Sequence, residues 1–367
     1  MSHAPRLAKL EDLNELVALE NQCFDSDRIS SRSFRYFLKK GQAQIWVCGA
    51  PINAYALLLF HRGTSLARIY SIAVSPDARG RGLAKALLEQ LESAAVEHGT
   101  LFIRLEVKAN NHAAIKLYEQ LGYKPIRHLA HYYEDGFDGI RMEKPLMAHA
   151  SRQAAKEIPF YGQTTDFTCG PAALMMAMKR LNPSQALHQI EELNLWREAT
   201  TIFMTTGHGG TSPAGLALAA HRRGIAAEIW VSHEEPAFLD SVRNPDKRQI
   251  IESIDADFQQ QCQRNGIPTQ LGHFSLSDLG DAMARGRQIL LIISTYRFNR
   301  KKEPHWVWIV SIDEQFVYIN DPNIDPNDHR EALDSVYLPV PRAQFEQAMK
   351  YGQKRFRAAL LLSAQTK

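Results

Sequence analysis

The sequence predicts two consecutive mixed α/β (α+β) domains, and three observations carry that expectation. A chain of 367 residues exceeds what one typical hydrophobic core holds, so two domains are the natural division. In the first half, an apolar run from Ile69 to Val74 leads through a turn with Gly80 and Gly82 into an amphipathic pattern from Leu83 to about Val96. In the second half the pattern restarts. Cys169 opens an apolar helix to about Leu181, and the runs Pro304–Val310 and Phe316–Asp321 read as an antiparallel hairpin joined through Asp313, Glu314 and Gln315.

Taken in order, Leu10–Phe24 and Ser30–Lys40 have helical apolar spacing. Gln44–Cys48 and Asn53–His61 read as a hairpin, followed by the strand Tyr70–Val74. After the helix from Leu83 come a strand Leu101–Val107, a helix Asn111–Leu121, and closing strands Tyr123–His131 and Gly139–Pro145. Met147–Lys156 is polar and alanine-rich without apolar period, which predicts a linker over 148–157 between domains at 1–147 and 158–367. Beyond it, Pro213–Arg222 and Ser275–Arg285 read as helices, and Gln288–Ser294 and Arg357–Leu362 as strands.

Composition narrows the function classes. Hydrophobic residues at 45% and charged residues at 23% are ordinary for a soluble globular chain. A net charge of +3, dispersed along the chain, argues against a nucleic-acid partner. Arg6, Lys9, Glu11 and Asp12 precede any apolar run, so no signal peptide is expected, and runs such as Ile289–Ile293 are too short to span a membrane. Cys23, Cys48, Cys169 and Cys262 lack CxxC spacing, which predicts no disulfide framework and no metal, and favours a reducing cytoplasm. Oligomeric state leaves no mark in the sequence.

The strand–glycine turn–helix at 69–96 carries the first chemistry. Free N–H groups and the positive helix end make an anion site; Gly82 permits close approach, and Arg79 and Arg81 add charge. Glu106, on the strand 101–107, faces opposite to Leu105 and Val107 and so can point into a cleft while they pack. An amine acceptor arrives protonated, and a carboxylate there, directly or through water, suits its deprotonation. Tyr118 lies on the next helix, which Asn111 is placed to cap. The run Ile72-Ala73-Val74, the turn Arg79-Gly80-Arg81-Gly82-Leu83-Ala84, and Leu105-Glu106-Val107, Asn110-Asn111, Ala114, Leu117-Tyr118 and Leu121-Gly122-Tyr123 resemble the GNAT acetyltransferases over roughly residues 5–146. The likeness extends to the branch that acetylates the N-terminal alanine of ribosomal proteins. It implies a GNAT mixed-sheet fold, acetyl-CoA as co-substrate with its pyrophosphate on residues 79–84, and a protein or peptide amine as acceptor. It further implies Glu106 as base, Tyr118 as acid toward the CoA thiolate, and Asn111 bonding the CoA arm. Tyr132 borders the acceptor site in relatives.

The second half carries different chemistry. A thiol at a helix N-terminus, as at Cys169, has its thiolate stabilised by the helix dipole. The Gln163 side-chain amide and the Cys169 N–H would form a two-donor oxyanion hole. His305 opens one hairpin strand and Asp321 ends the other, so pairing brings them together: a Cys–His–Asp arrangement of papain-like logic. Gln163, Cys169-Gly-Pro-Ala, His305-Trp-Val and Asn320-Asp321-Pro322 resemble the bacteriocin-processing cysteine peptidases that cut after double-glycine leaders, and a peptidase-like family fused to GNAT domains in proteobacteria. The resemblance covers about 158–363 and implies a papain-like α+β fold. Two departures exclude carrying over the double-glycine specificity: Thr168 stands where those peptidases have Asp, and a long insertion spans Trp196–Val231. Within it Ser212 is placed to cap a helix, and His208 is either loop structure or a cleft residue. The run Arg297–Lys302 reads as a solvated turn or as a site for an acidic peptide. Whether the thiol unit hydrolyses peptides, transfers an acyl group to an amine, or only binds peptide, and whether the first unit acetylates or only senses CoA, stays open at the level of sequence.

Overall fold

The computed structural model describes residues 4–39, 42–61, 63–146, 158–201, 203–204, 207–234, 236, 239, 242, 244–295, 303–324, 335–352 and 354–365. The chain divides into two compact units, residues 1–157 and 158–367. The expected linker and the basic run 297–302 lie outside the described residues, as does the side chain of His208.

The first unit runs β1 (Arg6–Leu7), α1 (Leu13–Cys23), α2 (Ser31–Lys39), β2 (Ala43–Cys48), β3 (Ala54–Phe60), β4 (Leu66–Val74), α3 (Leu83–Glu97), β5 (Phe102–Lys108), α4 (His112–Gln120), β6 (Lys124–Leu129) and β7 (Gly139–Pro145). Its described strands form one sheet in the order β1-β2-β3-β4-β5-β7-β6. The α3 face buries Leu83, Leu87, Leu88 and Leu91 against Ala56, Leu58, Ile69 and Leu105. The α1–α2 face buries Leu16, Leu19, Phe34 and Phe37 against Tyr55 and Leu57. Covered on both faces, β3 is buried throughout its length, which is why its sequence reads as a continuous apolar run.

Two irregularities shape this sheet. β4 and β5 pair in parallel only where Leu66–Ile69 meet Phe102–Leu105, whereas β3 accompanies β4 as far as Val74. From Tyr70 onward the two parallel strands therefore part, leaving a V whose arms are β4 beyond Ile69 and β5 beyond Leu105. In addition, the β3–β4 register slips between Leu57 and Leu58, so that Tyr70 is an extra residue in β4. Such a bulge turns consecutive side chains to one side. Tyr70 packs on Phe37 at 5.7 Å, and Ser71 bonds Tyr55 on that same α1–α2 face.

The second unit runs α5 (Cys169–Leu181), α6 (Gln189–Ala199), β8 (Phe203–Met204), β9 (Gly207–His208), α7 (Pro213–His221), β10 (Ile225–Val231), α8 (Pro245–Arg264), β11 (Thr269–Leu271), α9 (Leu276–Ala284), β12 (Gln288–Ser294), β13 (Pro304–Ile312), β14 (Phe316–Asn320), β15 (Leu338–Pro341), α10 (Arg342–Ala348) and β16 (Ala358–Ala364). Its main sheet has the order β11-β10-β16-β12-β13-β14-β15. α5 packs on β12 and β13 and is buried from Gly170 to Met178. The stretch 196–231, expected as an insertion, is built into the body of the unit. α7 is buried from Pro213 to Ala220, and β10 lies between β11 and β16. A helix apolar on all sides belongs in a core, and the Ala/Leu run of α7 is one. Ser212 caps it, accepting from the Gly215 N–H at 3.0 Å.

Candidate active sites

In the first unit the glycine turn lies where β4 ends. Gly80 and Gly82 have φ of +76° and +78°, the left-handed region that favours glycine, and among the described residues, chain neighbours aside, no atom lies within 4 Å of where a Cβ would stand on either. Gly82 forms the N-cap of α3, and the first helix bond runs from the Ala86 N–H to its carbonyl. The N–H groups of the first turn thus have no intrahelical acceptor and open onto unfilled space. Arg79 donates from Nε to the Val74 carbonyl at 3.4 Å and Arg81 from Nη2 to that of Asp77 at 2.9 Å, both side chains being exposed. Ala73 and Leu83 bury their side chains in the two cores, so either can meet a ligand only through its backbone; Ile72, Val74 and Ala84 are half-buried. Asn111 caps α4, accepting from the Ala114 N–H at 3.2 Å.

Glu106 stands on the β5 arm of the V. Arg141, directly opposite it on β7, donates to one carboxylate oxygen at 2.6 Å, and Arg68 of β4 donates to the other at 2.8 Å. The side chain is 4% exposed, so the carboxylate is buried between guanidinium groups rather than half-open to a cleft. Accepting a proton directly would disrupt charge-assisted bonds worth roughly 1.5–3 kcal/mol each. Arg68 also donates to the Tyr132 hydroxyl at 3.0 Å, which brings the 132–137 loop to the same group. Asp27 and Glu134 exchange backbone-to-carboxylate bonds of 3.1 and 3.3 Å, tying the α1–α2 turn to that loop. Tyr118 is buried against Tyr123, and burial pushes its phenol up to about 12. Tyr133 is also pushed above the usual phenol range, by burial first and then by the charges of Glu106 and Tyr118.

In the second unit Cys169 opens α5, with its thiol hydrogen-bonded to His305 at the start of β13. His305 Nε2 and Asp321 Oδ1 are 2.6 Å apart. Burial raises the thiol, but the hydrogen bond and charge of His305 outweigh it, so Cys169 titrates below the ordinary thiol range. Burial lowers His305, and the charge and hydrogen bond of Asp321, followed by those of Cys169, overcome this and lift it to about 10. Both shifts run in the sense of a thiolate–imidazolium pair beside a carboxylate. Asp321 Oδ1 also accepts from the Asn323 N–H at 2.9 Å.

Gln163 lies alongside this line: its N–H donates to the Pro322 carbonyl at 2.8 Å, next to Asp321. Its side-chain Nε2 donates to the Thr165 carbonyl at 2.9 Å, bracing the loop into Cys169 and leaving one amide hydrogen for another acceptor. Its buried Oε1 has no hydrogen-bond partner among the described residues. Beneath the loop is Glu192 of α6, fully buried. It accepts from Thr164 N (2.8 Å), Thr164 Oγ1 (2.7 Å), Thr168 Oγ1 (2.5 Å) and Tyr161 Oη (2.9 Å). Thr211 closes the other side: its Oγ1 lies 2.1 Å from where a Cβ on Gly170 would stand, and its carbonyl accepts from Trp306 Nε1 at 3.0 Å.

Residues 158–363, more than half of the chain, match the model of the Peptidase_C39 like family. The chain belongs to that family. The Peptidase_C39 like match spans all of Gln163, Cys169, His305 and Asp321. Residues 11–123 match the Acetyltransferase (GNAT) family, and the first unit carries a GNAT domain. Its relatives include the catalytic subunit of the N-terminal acetyltransferase B complex of Schizosaccharomyces pombe, 33% identical over 111 residues, 28% of this chain and 57% of that protein. They also include the ribosomal protein bS18-alanine N-acetyltransferase of Escherichia coli, 42% identical over 83 residues, 22% of this chain and 56% of that protein. The chain spans about half the length of the curated relatives it matches. Among solved structures, the ribosomal-protein-S18-alanine N-acetyltransferase from Escherichia coli aligns at 28% identity, covering 41% of this chain and 98% of that one with a TM-score of 0.37.

Sequence reasoning did not single out Arg68, Arg141, Glu192 or Thr211. Arg68 and Arg141 carry one available signal: arginines within apolar strands rarely go unpaired, and Glu106 is a carboxylate of the same kind. Glu192 sits in a polar helix start indistinguishable from a solvated face, and only the packing of α6 on α5 reveals it. No described group of His, Cys, Asp and Glu forms a metal cluster, and no described helix is long and apolar enough to cross a membrane.

Proposed function

We propose that the chain joins two activities: acetyl transfer from acetyl-CoA to the amine of a protein or peptide N-terminus, and thiol-dependent cleavage of a peptide or amide bond. The observation that supports the first is the open glycine turn at the start of α3, lying where β4 and β5 have parted. A CoA pyrophosphate fits that turn: the groups offered are backbone N–H donors, the positive helix end and two arginines, and nothing of the protein fills the space. Its thioester arm would then run along the free edge of β4 into the V, where Glu106 stands. The attacking nitrogen must shed protons. Glu106, through a water, takes one and passes it toward Tyr118, which donates to the departing sulfur. A phenol near 12 is a reluctant donor to an ordinary thiolate titrating near ~8.5, so replacement of the Tyr118 proton from the nitrogen side accompanies its loss. The relatives named as N-terminal acetyltransferases support an α-amine acceptor.

The observation that supports the second activity is the line from Cys169 through His305 to Asp321. In this reading the Cys169 thiolate attacks the carbonyl and His305 protonates the leaving amine. The Cys169 N–H and the spare Gln163 amide hydrogen stabilise the oxyanion, and water releases the acyl group. All four cysteines are free thiols, as a reducing cytoplasm would leave them. Mass spectrometry of a peptide library incubated with the protein, with and without acetyl-CoA, reads both activities at once. Acetylated N-termini that need acetyl-CoA and new termini lost in Cys169→Ala are expected. Absence of acetylation refutes the first activity, and cleavage undiminished in Cys169→Ala refutes the second.

A further inference from the structure

Overall, an ammonium acceptor loses two protons when it becomes an amide, and one goes to the CoA sulfur. Glu106, committed to Arg68 and Arg141, is poorly placed to store the other. A second carboxylate lies behind the opposite arm of the V. Glu20 of α1 is 1% exposed, yet it belongs to no ion pair among the described residues. One of its oxygens accepts from the Ile29 N–H at 2.7 Å and the other from the Tyr55 hydroxyl. Tyr55, itself fully buried on β3, shares a hydrogen bond of 2.7 Å with Ser71 Oγ. Ser71 is the second residue of β4 past its last pairing with β5, and the bulge at Tyr70 turns it to the α1–α2 face. It is half-buried, so the line of hydroxyls runs from a sealed carboxylate to a residue on the β4 arm of the V that is not itself sealed.

We propose that Ser71, Tyr55 and Glu20 form a proton wire that carries the first proton of the acceptor ammonium into the protein and stores it on Glu20. This deepens the acetyl-transfer reading and rests on it. The step balances: an N–H proton passes to Ser71 Oγ, the Ser71 proton to Tyr55 Oη, and the Tyr55 proton to the Glu20 carboxylate, which becomes a neutral acid. The freed nitrogen pair forms the C–N bond, the C–S bond breaks, and the second N–H proton replaces the one Tyr118 gives to sulfur. Glu20 returns its proton to solvent along the same path after the products leave. The charged and titratable neighbours of Glu20 permit this. Arg28, from the α1–α2 turn, favours the carboxylate, while Cys23, beside Arg79, and Tyr55 of β3 are neutral at pH 7. Burial raises Glu20 above the ordinary carboxyl range, in the sense a proton store needs.

The test is the pH profile of acetyl transfer to a peptide amine by the full chain, in wild type and in Ser71→Ala, Tyr55→Phe and Glu20→Gln. General-base steps are typically worth about 10²–10⁴ in rate. Each variant is expected to lose about 100-fold in kcat with KM for acetyl-CoA unchanged, and Ser71→Ala/Tyr55→Phe to lose no more than either alone. The acidic limb of kcat should disappear in Glu20→Gln. Infrared titration of the unliganded protein gives a readout apart from activity: a protonated-carboxyl band above the usual carboxylate pH range, absent in Glu20→Gln. Ser71→Ala, half-buried, keeps the test valid if Glu20→Gln folds poorly. Wild-type kcat and an unmoved acidic limb in Ser71→Ala and Tyr55→Phe overturn the wire while leaving the acetyltransferase reading intact. A wild-type chain that transfers no acetyl group overturns both.

Discussion

Replacing Glu192 by Gln should slow the thiol site without touching any group that reacts. The carboxylate receives one backbone N–H and three hydroxyls, all from Tyr161, Thr164 and Thr168 in the segment leading to Cys169. In Glu192→Gln the Oε1 position can still accept from Thr164 N and Thr168 Oγ1. The new NH2 then faces the Tyr161 and Thr164 hydroxyls, which can rotate to accept. What is lost is the charge: bonds to an ion are worth roughly 1.5–3 kcal/mol and neutral ones about 0.5–1.5. Relief from burying the ion offsets part of that difference over four bonds, so a net loss of about 1–2 kcal/mol is expected. Glu192→Ala does more, stranding the Thr164 N–H and opening a cavity, for a loss on the order of 3–5 kcal/mol. The loop sets where Cys169 and Gln163 stand, and a displacement of about 1 Å can cost 10²-fold in rate. Peptide cleavage by Glu192→Gln should therefore fall about 10–100-fold in kcat. The pH at which Cys169 is alkylated should shift little, because His305 and Asp321 are untouched. Denaturant midpoints, cleavage kinetics and iodoacetamide rates would be measured together. Glu192→Gln with wild-type cleavage and stability would show that the buried carboxylate does not hold this loop.

Three further outcomes follow from the same geometry. Iodoacetamide should label Cys169 at pH values well below the ordinary thiol range and spare Cys262, which burial pushes up to about 12; a Cys169 rate that rises only near pH 9 would contradict the ion pair. The protonated His305–Asp321 pair should stabilise the fold fully below about pH 6.5, since His305 is raised from 6.5 to about 10, and this contribution should vanish as pH climbs through 10. Unfolding of Cys169→Ala with and without His305→Asn isolates the Asp321 share of it, lost at a lower pH because the lift from Cys169 is gone, and a pH-independent difference would refute it. Gly82→Ala should lose about 1–2 kcal/mol from its φ of +78° and at least ~10-fold in CoA affinity by calorimetry. Gly99→Ala, at φ +79° with equal room, should share the strain and keep the affinity; equal CoA binding by both would mean the turn does not hold the nucleotide.

Much of this was legible in the sequence where a local rule and a long-range need agreed. The strand–glycine–helix at 69–97 and the helix from Cys169 to Leu181 appear as expected, because apolar period, glycine placement and helix entry point the same way. The hairpin joining His305 to Asp321 was legible because two apolar runs flank a short polar turn. The setting of Glu106 was not. Alternation says which face a strand residue takes, but Arg68 and Arg141 reach it from strands far away in sequence. The place of the 196–231 stretch was not legible either: its likeness pattern marks it as an insertion, and only the packing shows that its Ala/Leu helix and the strand after it complete the core. α8 was legible but not read: its buried Ile251, Asp255, Phe258 and Cys262 fall at helical spacing, and Asn244 and Pro245 mark its start.

Both units use one physical device in opposite ways. Each candidate site sits at the first turn of a helix, and each has a glycine at that turn. In the first unit Gly82 adopts a left-handed conformation with empty space beside it, so the helix end is offered to an anion that arrives from outside. In the second, Gly170 is walled in by Thr211, Leu216 and Trp306, all within 3.0 Å of where a Cβ would lie. That side of the helix end is closed, and the anion it favours first is the one the chain carries itself, the thiolate of the half-buried Cys169. The glycines look alike in sequence and serve contrary purposes: one keeps a door open, and the other lets two segments close behind the nucleophile, where His305 and the helix dipole act on its sulfur. What fills the space beside each glycine therefore decides whether the helix end binds a ligand or activates a side chain. An open pocket beside Gly170, or a side chain filling the space beside Gly82, would reverse the two assignments.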